Sequence, residues 1–317
     1  PHTFVDDPAR NPVNASGIYL LDVFGNLELL YRNPDISSMY PMPIAPRPRP
    51  PIVADTLPPE NPLEGRFLVQ DVYRGMESLP RGTVRRLRIV AVPPKVQPQM
   101  NTPNLGVSAE DPGKYVLGTA PVEADGSAYF RVPSGVPVFF QAIDQRGMAV
   151  RTMRTLTYVQ PGQTLACIGC HEHRDLAPPG GSPPLAALSE PSRITPGPEG
   201  SWPLDYGALV QPVLDAHCVA CHHAGAPDAK AAAFDLSAGR SYDNLLNYAD
   251  KDLHKLVVER DRSAVGDGAA RQSRLLNLVL DGKHEGVRLD LQSVDRLVTW
   301  MDVYAQRQGH FSDEQAA

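Results

Sequence analysis

All four cysteines of this chain lie in two copies of one short motif. The first copy is Cys167-Ile-Gly-Cys170-His171 and the second is Cys218-Val-Ala-Cys221-His222. Cys-x-x-Cys-His is the attachment sequence of c-type haem, in which the two thiols bind the porphyrin and the histidine binds the iron. The motifs therefore predict two covalently attached haem c groups, with His171 and His222 as proximal iron ligands, and the fold must cover the faces of both.

Other uses of paired cysteines fit this sequence poorly. A zinc ribbon places its two Cys-x-x-Cys pairs closer together, whereas a long stretch rich in Pro and Gly separates Cys170 from Cys218. A thioredoxin-like redox pair requires a βαβ context, which the pattern lacks. Two disulfides would be sparse for this length and would leave both motif histidines unexplained. Two covalent haems account for every cysteine.

Length, charge and hydropathy restrict the class of protein. The 317 residues suffice for two or three domains, and the 33 prolines predict long irregular connections. A formal net charge of -6 argues against nucleic acid as a partner, and no apolar run reaches the length of a membrane span. The chain starts at Pro1 without a signal peptide, which predicts a processed product. Haem c attachment predicts a periplasmic or extracellular location.

The first 60 residues predict a β-hairpin followed by an extended strap. Residues 16–31 alternate as two short strands around a turn at Phe24-Gly25-Asn26. Residues 40–51 contain too many prolines for a helix or a central strand and predict a polyproline-like segment. An isolated hairpin is marginally stable in water, so it must pack on the rest of the chain or on another subunit.

Residues 61–200 predict an antiparallel β-sandwich-like domain that ends in the first haem motif. Strand-like runs cover 65–73, 84–92, 128–132 and 136–144, with turn signals between them, and a last strand lies within 148–158. In the second run, Leu87, Ile89 and Ala91 alternate onto one side. The following stretch, 174–204, is rich in Pro, Gly and Ser and predicts an irregular linker.

Residues 201–317 predict a small helical cytochrome c domain around the second haem. Helices are predicted at 206–217, 273–280 and 291–306, and the last carries an apolar stripe of Leu297, Val298, Met301 and Tyr304. One helix before the motif and one at the end could enclose the two haem faces. The predicted fold class is therefore α+β and multidomain.

The distal iron ligand decides whether each haem can bind a substrate, because a six-coordinate iron passes electrons and an open one binds ligands. For the second haem, His284 is the first candidate because it lies in a loop just before the final helix. His254, His310 and Met301 are the alternatives, and each could instead be an ordinary surface or core residue.

The distal ligand of the first haem is left open by the sequence. His173 and Asp175 follow the proximal His171 closely, and Met148 and Met153 precede the motif on a predicted strand. A methionine on a strand is more often a core residue than an iron ligand. The charged residues after His171 are typical of a solvated turn, in which Arg174 could pair with a haem propionate.

Several segments resemble the hydrazine synthase alpha-subunit family and its relatives among large bacterial cytochromes. They are residues 118–144, 158–162 and the first motif with Glu172, the strap at 40–50, and the ending at 282–289 followed by 297–302. The resemblance extends over about residues 16–305. In that family a β-propeller precedes a middle domain with one haem and a C-terminal domain with a second haem.

The resemblance implies roles for individual residues. The family's second haem has two histidine ligands, which implies His222 with His284 and a role in electron transfer. At the family's first haem, a Tyr four residues after the motif histidine binds the iron, and that histidine turns to a zinc ion. The matching position here is Asp175, and no free cysteine remains to help hold zinc. Only residues 16–31 could correspond to propeller strands, which implies a homo- or hetero-oligomer through the N-terminal segment.

The sequence thus predicts a dihaem c-type cytochrome that transfers electrons between redox protein partners outside the cytoplasm. The alternative is a haem enzyme whose open first haem acts on a small nitrogen or oxygen species, in a hydrazine-synthase-like or peroxidase-like reaction. The absent Tyr favours electron transfer, and axial ligation separates the two hypotheses.

Overall fold

The predicted hairpin is present in the computed structural model, which describes residues 12–52, 60, 62–99, 102–108, 111–170, 177, 181–258 and 264–316. Strands β1 (Ile18–Leu21) and β2 (Leu27–Tyr31) pair antiparallel. The carboxylate of Asp22 accepts hydrogen bonds of 2.9 Å from the backbone amides of Phe24 and Asn26. Gly25 has a φ of 87°, a conformation that glycine adopts without steric cost. Turn chemistry therefore fixes the register of the hairpin.

Both strands of the hairpin expose apolar side chains. The hairpin belongs to a compact unit spanning Pro1–Asp55, and residues 40–51 of that unit form neither helix nor strand, as predicted. The exposed large side chains on the two strands are Tyr19, Leu20, Leu21, Leu27, Leu29, Leu30 and Tyr31. Contiguous exposed apolar surface of this kind marks a contact surface in soluble proteins.

The second compact unit, Thr56–Ala317, contains two β-sheets. Its strands are β3 (Glu64–Val69), β4 (Arg86–Ala91), β5 (Tyr115–Pro121), β6 (Ala128–Pro133), β7 (Val138–Ile143), β8 (Ala149–Thr152) and β9 (Thr164–Cys167). One sheet has the order β6-β3-β9 and the other β5-β4-β7-β8. All pairs are antiparallel except β3 with β9, which is parallel. The prediction of antiparallel sheets is confirmed apart from this pair.

The two sheets enclose an aromatic core. Phe67 of β3, Phe130 of β6 and Phe140 of β7 lie with ring centroids 5.1 to 6.0 Å apart. The predicted alternation of β4 is confirmed, because Leu87, Ile89 and Ala91 all join this core. Aromatic pairs at these distances stabilise a core beyond the area they bury.

Eight helices are described in the second half of this unit. They are α1 (Tyr206–Leu209), α2 (Gln211–His217), α3 (Ala229–Ala233), α4 (Ser241–Val258), α5 (Ala269–Gln272), α6 (Arg274–Leu280), α7 (Leu291–Asp302) and α8 (Asp313–Ala316). The last predicted helix ends four residues early, because Tyr304 and Ala305 adopt left-handed φ angles of 68° and 46°. The predicted helix 206–217 is divided at Val210 into α1 and α2. Helix α4 was not predicted.

The helices pack on the outer face of the four-stranded sheet. Val90 of β4 and Phe139 of β7 share one apolar cluster with Trp300 and Met301 of α7 and with the helices around them. The four-stranded sheet is therefore buried on both faces, and the β-half and the helical half form one continuous structure. The domain boundaries predicted at residues 60 and 200 stay predictions.

A buried polar network connects the four-stranded sheet to α7. The guanidinium of Arg88 donates to the side chains of Gln141, at 2.8 Å, and Thr299, at 3.3 Å, and lies 3.8 Å from the carboxylate of Asp302. Both charged side chains are at most 2% exposed. Asp302 in turn accepts a 2.7 Å hydrogen bond from the amide of Ala149 on β8. Buried charges are tolerated when they are paired and hydrogen-bonded in this way.

Candidate functional site

The first motif begins at the end of edge strand β9. Cys167 pairs with Val69 of β3, and its carbonyl accepts a 2.8 Å hydrogen bond from the amide of Gln70. Strand parity turns the Cys167 side chain toward the core between the sheets, and Cys170 packs against the same core. Sequence analysis missed β9 because its four residues carry no strong alternation. The parallel pairing with β3 is what fixes the position of the motif.

Gly169, between the two cysteines, is in close contact with the loop after β3. A Cβ atom at Gly169 would lie 2.5 Å from the Cβ of Arg74 and 2.7 Å from the carbonyl oxygen of Arg74. Real side chains do not approach backbone atoms so closely, so this position requires glycine. The loop after β3 therefore presses directly on the first motif.

Replacing Gly169 with Ala is expected to destabilise the protein by about 1–3 kcal/mol, since the added methyl group forces the main chain of the loop or the motif to move. Urea unfolding measures this change. Gly225→Ala is the matched control, because a Cβ there meets only His223 at 3.4 Å or more. Equal stability of the two variants would show that the loop and the motif are not in contact.

The predicted proximal ligand His171 lies outside the described residues. So do the residues weighed after it, which are His173 and Asp175 as ligands and Glu172 and Arg174 as parts of a turn. Of the two methionines considered as ligands, Met148 is 1% exposed and belongs to the core beneath the helices. Met153 is half-buried and packs against both cores.

The second motif is a turn at the end of α2. The amide of Cys218 donates to the carbonyl of Leu214 at 2.8 Å, which is the last hydrogen bond of the helix. The amides of Cys221 and His222 then both donate to the carbonyl of Cys218. The carbonyl of His222 then accepts from Leu236 at 2.9 Å. Local hydrogen bonds therefore orient the motif with little help from distant residues.

His284 lies beside His222. Their ring centroids are 5.8 Å apart and their ring planes differ by 23°. Phe234 contacts the His222 ring edge-on at 5.6 Å. The Nδ1 atom of His222 is buried and has no hydrogen-bond partner among the described residues. A buried nitrogen left unpaired costs about 1–3 kcal/mol, and the rings that contact His222 are those of Phe234 and His284.

The spacing of the two imidazoles fits shared metal ligation. Metal–imidazole bonds are about 2.0–2.1 Å long, which places two rings on opposite sides of one metal ion with centroids roughly 6 Å apart. His222 and His284 are at that spacing. Two imidazoles at this distance, one of them in a Cys-x-x-Cys-His motif, are the donor set that would hold a haem iron.

The other candidate distal ligands occupy different surroundings. His254 is half-buried on α4, and Met301 is fully buried in the apolar cluster with Trp300. His310 follows Gly309, which pairs through its backbone with Lys114 and Leu204 near β5. Among the ring contacts of the described residues, His222 meets Phe234 and His284.

A clasp of His217, Ser293 and Asp290 joins α2 to α7 beside the second motif. The Ser293 hydroxyl donates to Asp290 at 2.9 Å, and the Nε2 atom of His217 lies 3.3 Å from that hydroxyl. Hydrogen bonds from Ser293 lower the pKa of Asp290. The carboxylate of Asp290 also accepts a 2.9 Å hydrogen bond from the amide of Ser293, so this group caps the start of α7. Sequence analysis missed this clasp because its members are far apart in the chain.

The thiol of Cys218 is half-buried and packs against the helical core. Burial, with a smaller contribution from Cys221, raises the pKa of Cys218 to about 11. Cysteines of thiol–disulfide enzymes and of metal–thiolate sites have lowered pKa values. A half-buried, protonated thiol is compatible with a cysteine that becomes a thioether.

Protein without haem is expected to lose stability as the pH rises from about 9 to about 11. The folded state disfavours the Cys218 thiolate, so the stabilisation is complete below the unfolded pKa and disappears above the folded pKa, a loss on the order of 2 kcal/mol. Melting temperature measured against pH tests this. Cys218→Ala should remove this part of the pH dependence, and an identical profile in the variant would contradict the assignment.

The chain is similar to proteins of hydrazine synthesis. The family described as hydrazine synthase alpha subunit middle domain matches residues 82–172, which run from the start of β4 through the first motif. Hydrazine synthase subunit alpha of Kuenenia stuttgartiensis is 34% identical over 73 residues, which are 23% of this chain and 9% of that protein.

A solved structure extends the similarity beyond the middle domain. Kuenenia stuttgartiensis hydrazine synthase superposes with a TM-score of 0.53 at 18% identity, over 79% of this chain and 44% of that chain. At this identity the likeness shows a shared fold. The chain spans less than half the length of each relative.

Proposed function

We propose that this chain, which is hydrazine synthase alpha-like, is a dihaem c-type cytochrome that transfers single electrons between redox proteins outside the cytoplasm. The proposal rests on one observation above all. The histidine of the second motif, His222, lies 5.8 Å from His284, with the ring planes 23° apart. Two imidazoles at one iron leave no position for a substrate, and such an iron exchanges electrons.

The residues around the second motif support this role through burial. Phe234 packs on the edge of the His222 ring, and Tyr248 packs on Phe234 at 5.3 Å. Cys218 lies against the helical core. These aromatic contacts on half-buried rings would help to keep the two imidazoles in place during a change of iron charge. When bound, the haem supplies the reversible one-electron chemistry.

At the first motif, the supporting observations concern the two cysteines and not the iron ligands. Cys167 and Cys170 both pack against the core between the sheets, where strand pairing holds them. We propose His171 as the proximal ligand there. By the resemblance, the residue four positions after it would be the Tyr of the synthase reaction, and it is Asp175 in this chain. This difference supports an electron carrier over a hydrazine-forming enzyme.

The hairpin in the N-terminal unit supports an oligomer as the working form. Its apolar side chains are exposed on both strands, and a hairpin of two strands needs further packing to be stable. We propose that this surface is covered in a homo- or hetero-oligomer, with redox proteins as the further partners.

Haem counting and electron paramagnetic resonance test the proposal. The chain is exported to a periplasm that attaches haem c, and the oxidised product is measured for haem content and spin state. Two haems per chain with low-spin signals are expected. Absence of covalent haem would overturn the proposal, and one high-spin signal would favour a haem enzyme with an open first iron.

A further inference from the structure

Charge is divided unequally between the two halves of this chain. Residues 61–170, which form the sheets and lead into the first motif, contain twelve Lys and Arg against eight Asp and Glu, a net charge of +4. Residues 171–317 contain fourteen against twenty-one, a net charge of -7. Residues 1–60 contribute the remaining -3 to the total of -6, so a basic segment lies between two acidic ones. A local field of one sign steers partners of the opposite sign.

Three arginines lie around the first motif. Arg66 of β3 is in register with Thr164 at the start of β9. The backbone and Cβ of Arg74 press on Gly169 between the two cysteines, and its side chain is exposed. Arg151 donates a 2.6 Å hydrogen bond to the carbonyl of Gly75, the next residue along that loop. Arg74 and Arg151 are therefore tied to the loop that contacts the motif, and Arg66 lies further along β3, opposite the start of the strand that leads into Cys167.

The carboxylates nearby only partly offset these arginines. Asp71 is held by Arg81 at 2.5 Å, and Glu64 lies 3.8 Å from Arg131. Glu77 remains beside the motif, and its pKa is lowered by a hydrogen bond from Gly75 and also by the charges of Arg151 and Arg74. Among the described residues, Asp71, Glu64 and Glu190 are paired with other arginines and Glu77 faces Arg74 and Arg151, which leaves this part of the surface with a positive charge.

The surface is also at the edge of a sheet. Strand β9 pairs with β3 on one side, and within the described part of the chain its order β6-β3-β9 leaves β9 outermost. Thr164 and Ala166 are exposed on the strand that leads into Cys167. A partner can therefore approach the first motif without displacing structure that the protein needs for its core.

We propose that the surface formed by Arg66, Arg74 and Arg151 docks the acidic face of a redox protein, which exchanges one electron with the first haem. This inference rests on the proposed function and names the chemistry of its partner. We expect the positive charge of this surface to raise the rate at which the partner associates, because electrostatic complementarity raises association rates more than it raises affinity. In each encounter one side loses one electron and the other gains one, with no bond made or broken.

Stopped-flow reduction with two donors of opposite charge tests this inference on the haem-loaded full chain. Reduced plant-type ferredoxin is an acidic one-electron donor, and the methyl viologen radical is a cationic one. At low ionic strength, the double variant Arg66→Gln, Arg74→Gln is expected to react with ferredoxin about tenfold more slowly, and the difference should vanish at high salt. Its reaction with methyl viologen should not slow. Arg307→Gln removes a charge paired with Asp243 in the acidic half and should change the ferredoxin rate less than twofold.

The outcomes separate this inference from the proposed function. A chain that holds no reducible haem would overturn both. If both donors reduce the haems but neither salt nor the arginine substitutions affect the ferredoxin rate, only the docking surface is wrong. Sedimentation at low ionic strength tests whether a second copy of this chain, rather than a redox protein, binds to the surface. Self-association that salt and the double variant abolish would assign the surface to the acidic half of a second copy and would overturn the proposal.

Discussion

Replacing His284 with Ala is expected to convert the second haem from low-spin to high-spin while the first haem is unchanged. In the proposed cytochrome, His222 and His284 hold one iron between them, and alanine leaves its distal side open. The oxidised variant should therefore lose one low-spin signal in electron paramagnetic resonance. After reduction it should bind one additional equivalent of carbon monoxide per chain.

His254→Ala is the matched control, because it removes a half-buried imidazole from the same half of the protein without touching the ring pair. Its spectra should equal those of the unsubstituted protein. A high-spin signal in this control, with none in the His284 variant, would show that α4 and not the loop before α7 supplies the ligand.

Replacing Asp302 with Ala is expected to lower the free energy of unfolding by about 3–5 kcal/mol, the usual cost of removing one partner of a buried ion pair. The substitution leaves Arg88 buried at 2% exposure without its carboxylate and leaves the amide of Ala149 without an acceptor. Chemical denaturation at neutral pH measures the loss.

The control for this prediction is Asp281→Ala, in which an exposed carboxylate lies 3.4 Å from exposed Lys283. Exposed pairs of this kind contribute at most about 1 kcal/mol. A loss for Asp302→Ala no larger than for Asp281→Ala would mean that the buried network does not hold the sheet and α7 together.

Local patterns predicted the parts of this fold that depend on local interactions. The hairpin at 18–31, the alternation of β4 and the apolar stripe of α7 all follow from residue periodicity and turn chemistry. Strand β9 was missed because it is stabilised by parallel pairing with β3, a strand far away in the sequence. No local pattern in residues 164–167 predicts that pairing. Helix α4 was missed because Ala249, Asp250 and Lys251 adopt positive φ angles that interrupt its periodicity.

The candidate site also contains residues that local sequence predicts and residues that only the folded chain brings together. The two motifs were visible because cysteine and histidine spacing is itself the chemical requirement. The loop position of His284 made it a candidate, but only the folded chain places it beside His222. Phe234 and the clasp of His217, Ser293 and Asp290 depend on contacts between distant segments. No pattern in one stretch of sequence encodes them.

The parallel pairing of β9 with β3 has a consequence for the order in which the protein matures. The second motif is shaped by hydrogen bonds within one helix end, which form early during folding. The first motif reaches its place only when β9 joins a strand from the other end of the β-half, and such distant contacts form slowly. In the proposed cytochrome, the thiols of Cys167 and Cys170 would therefore stay accessible to haem attachment for longer than those of Cys218 and Cys221.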